Sequence, residues 1–206
     1  MSAALEGIRI LDLADEKGLP CTKFLADLGA DVIKIEQPGG DVTRARAPFA
    51  GDVAHPERSL YFLHYNANKR GITLDLDTRD GQALFKELAR KADVIVETFA
   101  PGTMANWGLD YKALSGLNPK IILTSITPFG QTGPWRDYKG GELIGFSMSG
   151  LMALSGEPGG PPCLAPGETA CGLASMHAAL ATEIALYHRN RTSQGQHIDV
   201  SLAEAA

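Results

Sequence analysis

Glu168, Cys171 and His177 place a carboxylate, a thiol and an imidazole close together at the start of a long apolar helical stretch, 170–189. A thiolate at a helix N-terminus has a lowered pKa and becomes a good nucleophile. It would take an acyl group as an acyl-cysteine thioester, the chemistry of an acyltransferase or thioesterase, with His177 as the nearest base. Two plainer readings compete. A free cysteine is usually a small buried hydrophobe, and an acidic residue just before a helix is often a cap or dipole partner. The cysteines Cys21, Cys163 and Cys171 lack the paired spacing of a zinc site, so no metal is expected.

The other chemistry-bearing residues are scattered. Lys69-Arg70 reads alone as a solvated basic pair before a strand, Phe99 as a core aromatic, and Lys139 as a surface lysine beside the Gly140-Gly141 turn.

The elements that must position these groups alternate along the first 130 residues. Strands are expected at 8–13, 31–36, 71–76, 93–97 and 120–126, with helices over 17–28, 79–91 and near 111–115. Gly29 reads as a helix stop. Strand–helix–strand units imply parallel pairing with right-handed crossovers, and hence an α/β sheet covered by helices. Beyond Pro128 the texture changes. A turn-rich stretch to Pro134 leads to a small-residue helix over 142–154, a Gly/Pro-dense loop over 155–167, the long helix, and a strand at 195–201 entering a last helix. The sequence stops at Ala206 as that helix begins, which suggests a cut chain or a missing part supplied by another polypeptide.

Composition bounds the partners. At 206 residues, 44% hydrophobic and 21% charged, the chain is ordinary for a globular protein. Its formal net charge of −5 argues against a general nucleic-acid surface. The opening residues show no basic segment followed by an apolar run, and no uninterrupted apolar stretch approaches the ~18 residues of a bilayer span. A cytoplasmic location without membrane attachment is the expectation.

Several segments together resemble the family III CoA-transferases (the CaiB/BaiF family), the group of formyl-CoA and carnitine CoA-transferases and methylacyl-CoA racemases. They are 28–36 (LGADVIKIE) with 39–44 (GGDVTR), 66–70 (NANKR) with 74–76 (LDL), 92–102 (ADVIVETFAPG), 129–134 (FGQTGP) and 192–201 (TSQGQHIDVS). The resemblance covers essentially the whole chain, while family chains are about twice as long. It implies a Rossmann-like, mostly parallel sheet with helices on both faces. Residues 1–206 would be the N-terminal part of the large domain, without the small domain and the C-terminal return. It also implies interlocked chains, as a homodimer or as a hetero-oligomer with a catalytic sister subunit.

The implied reaction moves CoA from an acyl-CoA to a carboxylic acid through an aspartyl anhydride and an aspartyl-CoA thioester, with coenzyme A thioester as substrate and no bound cofactor. Carried over by position, Asn66, Ala67, Asn68 and Lys69 would meet CoA, with Lys69 near the phosphates. Thr98 and Phe99 would lie by the adenine, and Lys139 and Glu142 close by. The departures fall where the charge should be. Family arginines correspond to Gln37 and Asn106, an asparagine to Thr98, and the first loop, 14–19, lacks the usual turn. Two lost charge-assisted contacts of ~1.5–3 kcal/mol each weaken CoA binding by roughly two to four orders of magnitude. The family aspartate falls on Cys171 and the racemase histidine on Gly141. A cysteine forms no anhydride and stores no CoA, so the chain resembles a non-catalytic or degenerate sister subunit. The alternatives are an active CoA-transferase using Glu168, or an acyltransferase or thioesterase using Cys171.

Overall fold

Runs rich in Ile, Val and Leu form six strands: β1 (Arg9–Leu13), β2 (Asp31–Glu36), β3 (Arg70–Thr73), β4 (Val94–Glu97), β5 (Ile122–Thr127) and β6 (His197–Ser201). The computed structural model describes residues 3–206 and pairs the strands all parallel, in the order β3-β2-β1-β4-β5-β6. Parallel neighbours need crossovers. They contain α1 (Leu19–Asp27), α2 (Leu60–Asn66), α3 (Arg79–Ala89), α4 (Thr103–Asn106), α5 (Tyr111–Leu117), α6 (Glu142–Met148) and α7 (Thr169–Thr192), with α8 (Leu202–Ala205) after β6. The expected α/β architecture is the one observed.

Strand alternation divides the interior into two layers. Ile10, Val32, Val94 and Ile122 face α1 and α7, where Leu25, Ala174 and Ala178 meet them. Leu11, Ile33, Ile95 and Leu123 face the other way, toward Phe85 and Ala89 of α3 and Leu114 of α5. Among the described residues α7 is the one helix long and apolar enough to cross a membrane. Its alanine face packs on the sheet core, while Met176, Leu180, Ile184 and Tyr187 stay exposed.

Two expectations change. The helix expected over 142–154 ends at Met148, because Gly150 takes φ 90°, and Leu151–Leu154 continues as a 3-10 turn. The strand expected over 71–76 spans Arg70–Thr73, an exposed edge. Strand order reverses between β1 and β4, the switch point beside which ligands of open α/β sheets bind. Gly18 makes that junction possible. A Cβ there would lie 2.8 Å from Thr98 and 3.0 Å from the Ala14 side chain, so α1 approaches β4 this closely only with glycine.

One buried polar network fastens the first half. Asp12, fully buried, accepts from Lys69 Nζ at 2.9 Å and from Thr22 Oγ1 at 2.7 Å. Lys69 also donates to Asn66 Oδ1 at 3.1 Å and is 1% exposed at its side chain. Lys34, 3% exposed, lies 4.0 Å from Asp12, pairs with Asp41 at 2.9 Å and donates to the Ala14 carbonyl. Burial alone would raise the Asp12 carboxyl, but Lys69 and Lys34 outweigh it and hold it below the usual carboxylate range. The stabilisation from this depressed carboxyl is therefore present above pH ~4 and lost as pH falls through its folded value. Replacing Asp12 with Ala strands the buried Lys69 ammonium, while Lys34 keeps Asp41, and is expected to cost about 3–5 kcal/mol. Lys69→Met leaves Lys34 to compensate Asp12 and should cost less. Urea unfolding of both variants checks the order, and a milder Asp12→Ala would refute it.

Candidate functional site

Helix α7 runs antiparallel to the strands, since Arg189 near its end bonds Asp93 at the amino end of β4, at 2.8 Å. Its first turn therefore lies at the carboxyl edge, the side on which the switch-point crevice opens. The loop 14–18 separates the two places. On one side Asp15 joins the β4 exit, its N–H donating to Thr98 Oγ1 at 2.9 Å while the Thr98 hydroxyl donates back to Asp15 Oδ1 at 2.8 Å. On the other side the Lys17 carbonyl accepts from Ser175 of α7 at 3.2 Å.

At the start of α7 the orphan N–H groups of Ala170 and Cys171 both donate to the Glu142 carboxylate, at 2.9 Å each. Glu168, the N-cap residue, makes no cap bond of its own. Its carboxylate instead accepts from Arg46 Nη1 on one oxygen and from the Tyr61 hydroxyl on the other. Cys171 is 1% exposed. Burial first, then the carboxylates of Glu142 and Glu168, push its thiol up, so it stays protonated at neutral pH. The lowered pKa of a thiol at a helix start is absent because burial penalises the thiolate and Glu142 already answers the helix N–H groups. His177 lies six residues on, about 240° around the helix, exposed beside Leu180 and Ile198. It is not placed as a base for Cys171.

Across the loop, a cleft of about 220 Å³ opens over the carboxyl ends of β1 and β2, lined among others by Lys34, Glu36, Gln37, Phe99 and Trp107. Phe99 packs edge-on to Trp107, with ring centroids 5.0 Å apart. Among the described residues Lys34 is the cleft's one cationic lining residue, and its ammonium is already bound to Asp41. Asp15, Asp41, Asp75 and Asp77 line the cleft as well. Glu36 is held by Arg44 through Nε at 2.6 Å and Nη2 at 2.8 Å.

The residues expected at CoA are thus partly dispersed. Phe99 lines the crevice, while Thr98 beside it is buried against Asp15. Lys69 lies inside the protein on Asp12, Thr22 and Asn66, where its ammonium does not face a phosphate. Asn66 also donates to the Phe62 carbonyl at 3.0 Å, Ala67 is exposed, and Asn68 takes φ 66° and reaches Asp27 at 2.8 Å. Lys139 points to solvent without an ion-pair partner among the described residues. Glu142 serves as the α7 cap, and Asn106 is exposed on α4.

Sequence reasoning missed Arg46, Tyr61 and Glu97. No motif marks Arg46 or Tyr61. Glu97 ends an apolar strand within the family segment 92–102, and nothing in either signal marks it as a buried carboxyl. It is 3% exposed, accepts from the Phe99 N–H at 2.7 Å and bonds Ser125, whose Oγ lies 3.0 Å from His197 Nε2. Burial, joined by Asp15 and Asp199 and only partly offset by the hydrogen bonds from Ser125 and Phe99, raises its carboxyl to about 7.

Comparison with known proteins adds a family. The family model for CoA-transferase family III matches residues 5–206. The chain is 44% identical over 204 residues to a succinate–glutarate CoA-transferase of Agrobacterium fabrum, covering 97% of this chain and 51% of that one. It is 40% identical over 197 residues to the succinyl-CoA:(R)-benzylsuccinate CoA-transferase subunit BbsE of Thauera aromatica, covering 96% and 48%. The crystal structure of a CAIB/BAIF family protein from Brucella suis superposes with TM-score 0.94 at 38% identity, over all of this chain and 55% of that one. The chain spans about half the length of the curated relatives it matches.

Two measurements test this edge. The raised Glu97 carboxyl stabilises the fold below its unfolded value of 4.5, and that contribution is lost as pH rises through about 7. Glu97→Gln should therefore gain about 3 kcal/mol on the wild type between pH 4 and pH 8, read from urea unfolding at each pH. An unchanged difference would show an ordinary carboxylate. With Ellman's reagent, the native protein should expose one fast thiol, Cys163, with Cys21 and Cys171 reacting only after denaturation. A fast thiol that disappears in Cys171→Ser would mean an activated cysteine.

Proposed function

The chain belongs to CoA-transferase family III, and from that premise we propose that it is a non-catalytic component of a cytoplasmic enzyme moving CoA from an acyl-CoA to a carboxylic acid. The carrying observation is Cys171. By position it stands at the family nucleophile, yet it offers a buried, protonated thiol under the Glu142 carboxylate. A thiol in this place would give an acyl-cysteine by expelling CoA, and it cannot hold CoA as a thioester for return to an acid.

The crevice supports the same reading. Phe99 and Trp107 offer an aromatic wall for an adenine, but carboxylates outnumber cations there and Gln37 brings no charge. A CoA phosphate wants charge-assisted donors, which a partner chain or further sequence would have to supply. In this reading residues 1–206 form the N-terminal part of the large domain. The assembly is an interlocked homodimer, or a hetero-oligomer whose sister subunit carries the nucleophile. BbsE is named as a subunit, and the succinyl-CoA–L-malate CoA-transferase relatives are named as alpha and beta subunits. CoA thioester is the substrate, and the reaction asks for no bound cofactor.

Glu168 is the competing nucleophile, but both of its oxygens already accept hydrogen bonds, from Arg46 and Tyr61, and this lowers the reactivity of a carboxylate. Intact-protein mass after incubation with succinyl-CoA, alone and with a sister chain, separates the readings. The expected result is an unmodified chain here and a CoA-sized adduct on the sister. A CoA-sized adduct on this chain that Glu168→Gln abolishes would overturn the non-catalytic reading. An acyl-only adduct on Cys171 would assign acyl transfer instead.

A further inference from the structure

Arg46 and Tyr61 are arranged as a grip before Glu168 is considered. The segment carrying Arg46 is fastened to the start of α2, where Ser59 Oγ donates to the Arg46 carbonyl at 2.6 Å and to the Thr43 carbonyl at 3.0 Å. The Leu60 N–H reaches the Pro48 carbonyl at 2.9 Å. That anchoring lays the Arg46 guanidinium over the Tyr61 ring, 4.1 Å from its centroid. A planar cation beside a phenol hydroxyl presents two directed donors, the pattern that matches the two oxygens of a carboxylate.

Glu168 reaches this grip from 122 residues away in sequence, at the end of the Gly/Pro-rich loop 155–167. Gly167 before it takes φ 84°, and Glu168 itself lies outside helical geometry. Its carboxylate has no part in capping α7, since Glu142 does that. Its bonding partners are Arg46 and Tyr61. The Arg46 side chain remains 42% exposed, so the cation is open to solvent, whereas the Glu168 side chain is 11% exposed.

We infer that Arg46 and Tyr61 form a carboxylate-binding subsite for the acid substrate, and that Glu168 fills it in the free chain as an internal surrogate. The identity of the ligand as an acid substrate rests on the CoA-transfer reading, while the grip and its occupant do not. One side of this ion pair is open, because Arg46 is 42% exposed although Glu168 is 11% exposed, so a small acid reaches the cation from solvent. A free acid can therefore compete with Glu168, and a chain lacking Glu168 presents the grip empty. The subsite also gives this chain a second reason to be silent, because its own glutamate stands where the acid would bind.

The test uses the full 206-residue chain, no CoA, and succinate as the probe, with succinamide as the uncharged control, followed by calorimetric titration. Glu168→Ala should bind succinate at least about tenfold more tightly than the wild type, and succinamide should bind neither. Arg46→Gln added to Glu168→Ala should abolish the gain, and Tyr61→Phe should reduce it. If Glu168→Ala does not fold by circular dichroism, Glu168→Gln keeps the side-chain volume, removes the charge and should show a smaller gain of the same sign. Succinate affinity that is unchanged on removing Glu168, or a gain that survives Arg46→Gln, would overturn the subsite. Because no thioester is present, failure here leaves CoA transfer standing, and failure of CoA transfer leaves this result standing.

Discussion

One carboxylate between two buried ammonium groups is the constraint from which the carboxyl edge follows. Taking an ion out of water costs several kcal/mol, and the cost is met only where every neighbour supplies a partner. Asp12 therefore requires Thr22 of α1, Lys34 of β2 and Lys69 before β3, and those lysines require the Ala14 carbonyl, Asp41 and Asn66. The same atoms fix the loop 14–18, which carries Asp15 to Thr98. They also fix the turn after Asp41, which carries Arg44 to Glu36 and leads to Arg46. A buried network of this type contributes register more than net stability.

Much of the fold was legible in the sequence, for a local reason. The run 31–36 reads as a strand, and β2 spans those residues because Val32, Ile33 and Ile35 are buried on both faces of a parallel sheet. Helix α3 keeps its start at Arg79 because Thr78 caps it, accepting from the Gly81 N–H at 3.0 Å. What failed depended on distant partners. Nothing local marks Lys69 as an interior ion, because Asp12 lies 57 residues away. For Cys171 the sequence offered both an activated thiol and a small buried one, and the burial and the Glu142 carboxylate 29 residues upstream that keep it protonated come from the tertiary structure. Arg46, Tyr61 and Glu168 meet only after three separate segments have folded. The family resemblance supplied positions for the site, but the environments came from the structure.

The two sides of the carboxyl edge differ in chemical character. The crevice over β1 and β2 is aromatic and acidic, with its lysine already committed. The start of α7 is a cluster of carboxylates in which an arginine and a phenol supply the donors. On the second side the Arg46 side chain, 42% exposed, presents positive charge to solvent. The loop 14–18 between them is held to β4 by Thr98 and to α7 by Ser175, so the two sides share one rigid wall.

The position of β6 bears on how the chain is made. It pairs with β5 in register from Leu123↔His197 to Thr127↔Ser201, yet about seventy residues separate the two strands along the chain. Closing an excursion of that length costs only slightly more entropy than closing a short one, because the cost grows with the logarithm of length. Time is the larger matter. At ~5–20 residues per second, a ribosome needs roughly 4–14 s after finishing β5 before β6 exists. Through that interval β5 is a bare sheet edge of unpaired N–H and C=O groups, the kind of edge that templates association between chains. β6 covers the β5 edge only at the end of that interval.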